Sequence, residues 1–188
     1  TIETPKRWRA WDTSGNNNHG QIYSGRALEF DGVTDYLDAG TNVDLGTGDF
    51  TISAWVYLNA IGADENIFYK KDDASNRWYF NVSSAGKLAF WSISGGTIQI
   101  NEVGDTALEA NTWYRVAVSA DRDSSIKLYI NGVLDGTGSA DSDDIDNTGN
   151  LAIGLDGTSG STYLDGMMSD AQIWDAAWTA ADAEYDYL

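Results

Sequence analysis

Paired carboxylates are the first chemistry to look for in a chain this acidic. A site that cleaves glycosidic bonds needs two of them, about 5–5.5 Å apart for retaining chemistry and further for inverting. Six of the 29 acidic residues are Glu, and the other 23 are Asp. Glu29 and Asp31 make the nearest alternation, but Asp31 opens an Asp-Gly turn, so a structural role is expected of it. The single His19 sits in a Gly/Asn-rich stretch, where hydrogen bonding or solvation is its ordinary role. No Gly-x-Ser-x-Gly elbow is present. No catalytic residue is assigned, and the chain is read as not an enzyme. The run Asp141-Ser-Asp-Asp-Ile-Asp146 lacks the regular spacing, Gly and Glu of an EF-hand calcium loop. The polar stretch around it, residues 136–150, reads as an exposed loop.

The aromatic residues suggest a different chemistry. Eight Trp and ten Tyr exceed what a core of this size requires. Aromatic rings stack on the apolar C–H faces of sugars, while a few polar side chains fix orientation. Trp55, Arg77, Tyr79 and Trp91 each alternate with core-type neighbours. They form the candidate ligand-binding set, expected to line one sheet face. Trp113 and Trp174 lie within strand patterns and are expected in the core.

The elements that would position these residues are strands. In Phe50–Leu58 the apolar residues at 50, 52, 54, 56 and 58 point one way, and Thr51, Ser53, Trp55 and Tyr57 the other. Further strands are predicted at 66–71, 77–83, 87–94, 97–103, 112–120, 125–130, 151–155 and 162–174. Turn residues separate them, and Asn131-Gly132 predicts a type I′ hairpin, in which both central residues need φ > 0. Only the tail reads as helix, with Thr179 and Asp182 spaced as a capping box. Short strands so spaced indicate an all-β sandwich or barrel.

Composition bounds the rest. The 188 residues suit a single domain spanning 1–188, with residues 1–11 as a linker or extended lead-in. There is no Cys to form disulfides or thiolate metal sites. With 20 Gly, one Pro and Asp in excess, the chain is rich in tight turns. A formal net charge of −18 argues against nucleic acid as a partner, since phosphate needs a basic surface. No apolar run is long enough to span a membrane. The absence of an initiator Met and of a signal-peptide pattern suggests a processed product or a fragment of something longer.

Several segments together resemble the laminin-G-like jelly-roll domains of the concanavalin-A-like superfamily. They include Ala27-Leu-Glu-Phe-Asp-Gly-Val-Thr-Asp-Tyr-Leu37, Asp49-Phe-Thr-Ile-Ser-Ala-Trp-Val56 and Asn111-Thr-Trp-Tyr-Arg-Val-Ala-Val118. Lys127-Leu-Tyr-Ile-Asn-Gly-Val133 and the closing 164–182 stretch complete the order. The resemblance covers about residues 12–188 and implies a two-sheet antiparallel jelly-roll β-sandwich with a short C-terminal helix. One departure is Arg115, where the family often has His. The Glu-x-Asp-x-x-Glu arrangement of the superfamily's glucanases does not occur here.

The resemblance also implies a structural calcium ion where first and last strands meet, with Asp12, Asp31, Asp35 and Asp170 as candidate metal ligands. Asp31 and Asp35 could equally brace their own turn. The implied function is a non-catalytic binding or adhesion module of a larger surface, fibre or secreted protein, extracellular, cell-surface or virion-associated. Carbohydrate or a glycoconjugate is the expected partner, with protein partners in a larger assembly also open. Two alternatives stand beside it: a structural or oligomerising domain without a ligand, and a polysaccharide-cleaving enzyme of the same superfamily.

Overall fold

Period-two alternation builds the chain into two facing antiparallel sheets. The computed structural model describes residues 8–10, 20–22, 27–156 and 162–188. The first half carries β1 (Trp8–Ala10), β2 (Gly20–Ile22), β3 (Leu28–Asp31), β4 (Leu37–Asp38), β5 (Phe50–Leu58), β6 (Glu65–Lys71), β7 (Arg77–Val82) and β8 (Lys87–Ser94). The second half carries β9 (Thr97–Ala107), β10 (Trp113–Asp121), β11 (Ser125–Ile130), β12 (Val133–Ser139), β13 (Leu151–Ile153), β14 (Leu155–Asp156), β15 (Thr162–Tyr163) and β16 (Asp165–Trp174). Helix α1 (Ala180–Tyr187) follows. One sheet has the order β12-β11-β10-β5-β16-β3, and the other β4-β13-β6-β7-β8-β9. The non-sequential neighbours are the crossovers of a jelly roll.

The core lies between the sheets. Phe50, Ile52, Ala54, Val56 and Leu58 from β5 face Trp78, Phe80, Leu88 and Phe90, and all are buried. Phe50 and Phe90 meet across the interface with ring centroids 5.3 Å apart. Full burial of each such side chain contributes roughly 1.5–3 kcal/mol, so this layer provides most of the driving force. The turn at Asn131-Gly132 has φ of 52° and 76°, as the predicted hairpin requires. A Cβ at Gly132 would come within 2.9 Å of the Glu184 Cα, so this turn also abuts α1 closely.

Two buried cations organise the acidic loops. The ammonium of Lys70 donates to the Val43 carbonyl (2.7 Å) and to the carboxylates of Asp44 (2.8 Å) and Asp146 (3.1 Å). Arg122 donates through its guanidinium to the carbonyls of Asp141, Asp143 and Gly46. The 136–150 stretch is therefore only in part the exposed loop its composition suggests. β12 continues to Ser139, Ile145 is buried, and the remaining turns are pinned from below by Lys70 and Arg122.

A third buried cation fixes the helix. Arg115, on the outward side of β10, donates from Nε (2.6 Å) and Nη2 (2.7 Å) to the two carboxylate oxygens of Asp186 in α1. It also reaches the Ser53 hydroxyl (3.0 Å) and the Asp170 carbonyl (2.8 Å). Asp170 sits at φ 50° in a bulge of β16, and this contact holds the bulge open. Thr179 caps α1, with its hydroxyl and the Asp182 side chain in the reciprocal pattern predicted from the sequence. Removing one partner of a buried pair strands the other charge. Asp186→Asn is therefore expected to cost about 3 kcal/mol in urea unfolding, whereas Arg115→Leu with Asp186→Leu should recover most of that loss.

Candidate functional site

The second sheet turns an aromatic row outward. Core residues Phe68, Phe80 and Phe90 stand in register across β6, β7 and β8. One residue further along each strand the side chains reverse, which places Tyr69, Tyr79 and Trp91 in register on the opposite face. The row extends to Asp38 and Ala152 at one end and Asn101 at the other, so it crosses all six strands. Tyr69 and Tyr79 stack with centroids 6.1 Å apart, and Trp91 meets Tyr79 edge-on at 5.6 Å.

Polar rows flank the rings. Lys71 pairs with Arg77 on one side, and Asn66 with Asn81 on the other. Both asparagines are only 6 % exposed, and their Oδ1 atoms have no partner among the described residues. The same holds for Arg77 Nε and Trp91 Nε1. A groove of about 250 Å³ opens at one end of the row, between Tyr36, Tyr69, Lys71, Asp38 and Asn150. Asp38 is held in place by Asn150 Nδ2 (2.8 Å) and the Gly40 amide (2.8 Å).

The structure brings together three of the four ligand residues expected from sequence. Arg77, Tyr79 and Trp91 share this face, but Trp55 belongs to the other sheet, in β5. There it faces α1, with its ring 5.8 Å from that of Tyr187. Alternation gave its side correctly, but the side lies beneath the helix. Trp113 and Trp174 are not core residues: they are 37 % and 47 % exposed. Trp113 stands outward beside Tyr57 at 5.5 Å, and Trp174 ends β16 beyond the bulge. Tyr69, Asp38 and Asn101 were missed. The reason is Lys70, a charged residue on the core side of β6 that blurs the alternation revealing Tyr69.

The candidate metal ligands do not gather at one place. Asp31 Oδ1 accepts from the amides of Val33 (2.9 Å), Thr34 (2.7 Å) and Asp35 (3.0 Å). Those amides, Thr34's foremost, hold its carboxyl well below the usual carboxylate range. Asp31 pairs with Asp165, five residues before Asp170 on β16, or roughly 15 Å along a strand. Asp170 instead accepts from Gln172 Nε2 (2.8 Å) beside Arg115. Asp12 and His19 lie outside the described residues. Among the described residues no three His, Cys, Asp or Glu side chains form a metal-holding group, so the described Asp31, Asp35 and Asp170 do not fit a single shared calcium site.

One buried acid stands apart. Glu65 begins β6 and accepts from the Asp165 amide (3.3 Å). Burial raises its pKa above the usual carboxylate value, and the nearby Asp165 and Asp64 add to the effect. Below the ordinary pKa the group is protonated in folded and unfolded chains alike. As pH rises through that value and then the raised one, the unfolded chain ionises first and stability is lost. Glu65→Gln should therefore raise the melting temperature at pH 7, with the gain vanishing below about pH 4.

Comparison with known proteins agrees with this architecture. Residues 31–184 match the family profile described as Concanavalin A-like lectin/glucanases superfamily. No curated protein sequence matches the chain. Among solved structures, a sialidase carbohydrate-binding module (CBM40) from Ruminococcus gnavus, bound to α2,3-sialyllactose, superposes with a TM-score of 0.72. The two are 16 % identical over 87 % of this chain and 97 % of that one. A heptameric SAP-like pentraxin from Limulus polyphemus gives 0.63 at 20 % identity, over 85 % of this chain and 80 % of its own. Domain 4 of an arabinanase from Geobacillus stearothermophilus, in complex with arabinotriose, gives 0.59 at 18 % identity, over 97 % and 82 %. With its two six-stranded sheets and the profile spanning most of its length, the chain belongs to the laminin-G-like branch of the concanavalin A-like superfamily.

Proposed function

We propose that the outward face of the second sheet binds saccharide, and that the chain is a non-catalytic carbohydrate-binding module of an extracellular or surface-associated protein. The observation that carries this reading is the in-register row Tyr69–Tyr79–Trp91, flanked by Asp38, Asn101, Lys71 and Arg77. Tyr79 and Trp91, both half-buried, present ring surface for stacking, Tyr69 (3 % exposed) backs them, and the flanking side chains offer both donors and acceptors to sugar hydroxyls. Carbohydrate complexes of two structurally similar modules support the ligand class. On the other sheet α1 lies over Ser53 and against Trp55, and the outward pair Trp113 and Tyr57 is only two rings wide.

Glycan-array screening followed by calorimetry on the best hit tests this reading. Truncating an aromatic anchor typically costs about 2 kcal/mol, so Trp91→Ala should weaken binding by more than about tenfold. Trp55→Ala should leave the affinity unchanged. An empty array, together with a stable oligomer by light scattering, would favour a structural role instead.

A further inference from the structure

A second cleft, of about 600 Å³, lies on the side of the molecule away from the aromatic row, between the end of β16 and α1. Trp174, Trp178 and Tyr185 supply its rings, and Gln172, Asp182 and Asp186 its polar groups. Trp174 and Trp178 meet at 6.0 Å with their planes tilted by 57°, so the two indoles form an open angle rather than a flat platform. Trp174 is 47 % exposed and Tyr185 83 %. Large rings left this open in an otherwise well-packed domain are a surface feature that calls for a partner.

The hydrogen-bond inventory restricts what that partner can be. The Trp174 indole N–H is spent on Gln172 Oε1 (2.9 Å), and the Gln172 amide N–H on Asp170 (2.8 Å). Among the described residues no Lys, Arg or His lines the cleft. The Asp186 charge is offset by Arg115, but Asp182 stands at the exposed start of α1 with no cation beside it. The cleft therefore presents ring faces and carboxylate, within a chain of net charge −18. A neutral sugar gains nothing from the net negative field, and an anion would be repelled. Ring faces with carboxylate suit a cation, and Trp is the strongest partner for one. A primary ammonium is compact and strongly hydrated and requires several directed acceptors. A quaternary ammonium has no N–H and little hydration to lose.

We propose that the Trp174–Trp178–Tyr185 cleft binds an organic cation of the quaternary ammonium type. This site is separate from the saccharide face and does not depend on it. The test is titration of choline into the full chain with ¹⁵N-labelled indoles, followed by NMR, with the neutral isostere 3,3-dimethylbutanol as control. Saturable shifts of the Trp174 and Trp178 indole signals are expected, with the isostere roughly tenfold weaker. Trp174→Ala and Tyr185→Ala, both at exposed positions, should each weaken choline binding about fivefold, and Tyr185→Phe should retain it. The proposal is overturned if the isostere binds as tightly as choline, if saccharide rather than choline shifts these signals, or if choline gives no saturable shift.

Discussion

A guanidinium buried on a sheet face cannot be left uncompensated, and the placement of Arg115 determines much of what surrounds it. Four of its five N–H groups are met by Asp186, Ser53 and the carbonyl of a bulged Asp170. To satisfy it, α1 must lie across β10 and β5, and β16 must bulge at the point where the guanidinium arrives. The energetic sign of such a pair depends on full satisfaction of its hydrogen bonds. Here the helix, the bulge and the hydroxyl of the neighbouring strand supply them together. The helix then buries the small cluster of Ala117, Tyr129 and Ala183, with Trp178 packed at its edge.

The same economy operates elsewhere in the molecule. A chain with 29 acidic and 11 basic residues must spend its cations carefully. Three of them, Lys70, Arg115 and Arg122, are buried, and each gathers backbone carbonyls or carboxylates from segments distant in sequence. The acidic stretches that look like solvated loops are thereby drawn against the sandwich. Contact with Lys70 holds the Asp44 carboxyl below its usual range, the electrostatic counterpart of that anchoring. The acid-rich composition is compatible with an ordered surface because the few cations lie underneath it.

How much of this could be read from the residues depended on whether the information was local. The hairpin at Asn131-Gly132, the capping box at Thr179 and Asp182, and the alternation in Phe50–Leu58 are local, and each is found where it was expected. The brace at Asp31 is also local, and its side chain closes its own turn. Which sheet a strand joins is not local. Trp55 and Trp91 carry the same alternation signature, yet one lies against a helix and the other in the aromatic row of the second sheet. Only the pairing of β5 with β10 and β16, and of β8 with β7 and β9, separates them. Lys70 concealed Tyr69 for a related reason: its partners come from loops near residues 43 and 146, which no window around β6 contains.

The two outward faces thus differ in construction: one carries a helix anchored on Arg115, and the other carries a row of rings in register. Hydroxyl-radical footprinting of the tryptophans, with and without a bound saccharide, tests this division most directly. Oxidation of Trp91 should slow when saccharide is added, while that of Trp55 should be the same with and without it. Fast oxidation of Trp55 that saccharide suppresses, with Trp91 indifferent, would contradict the account.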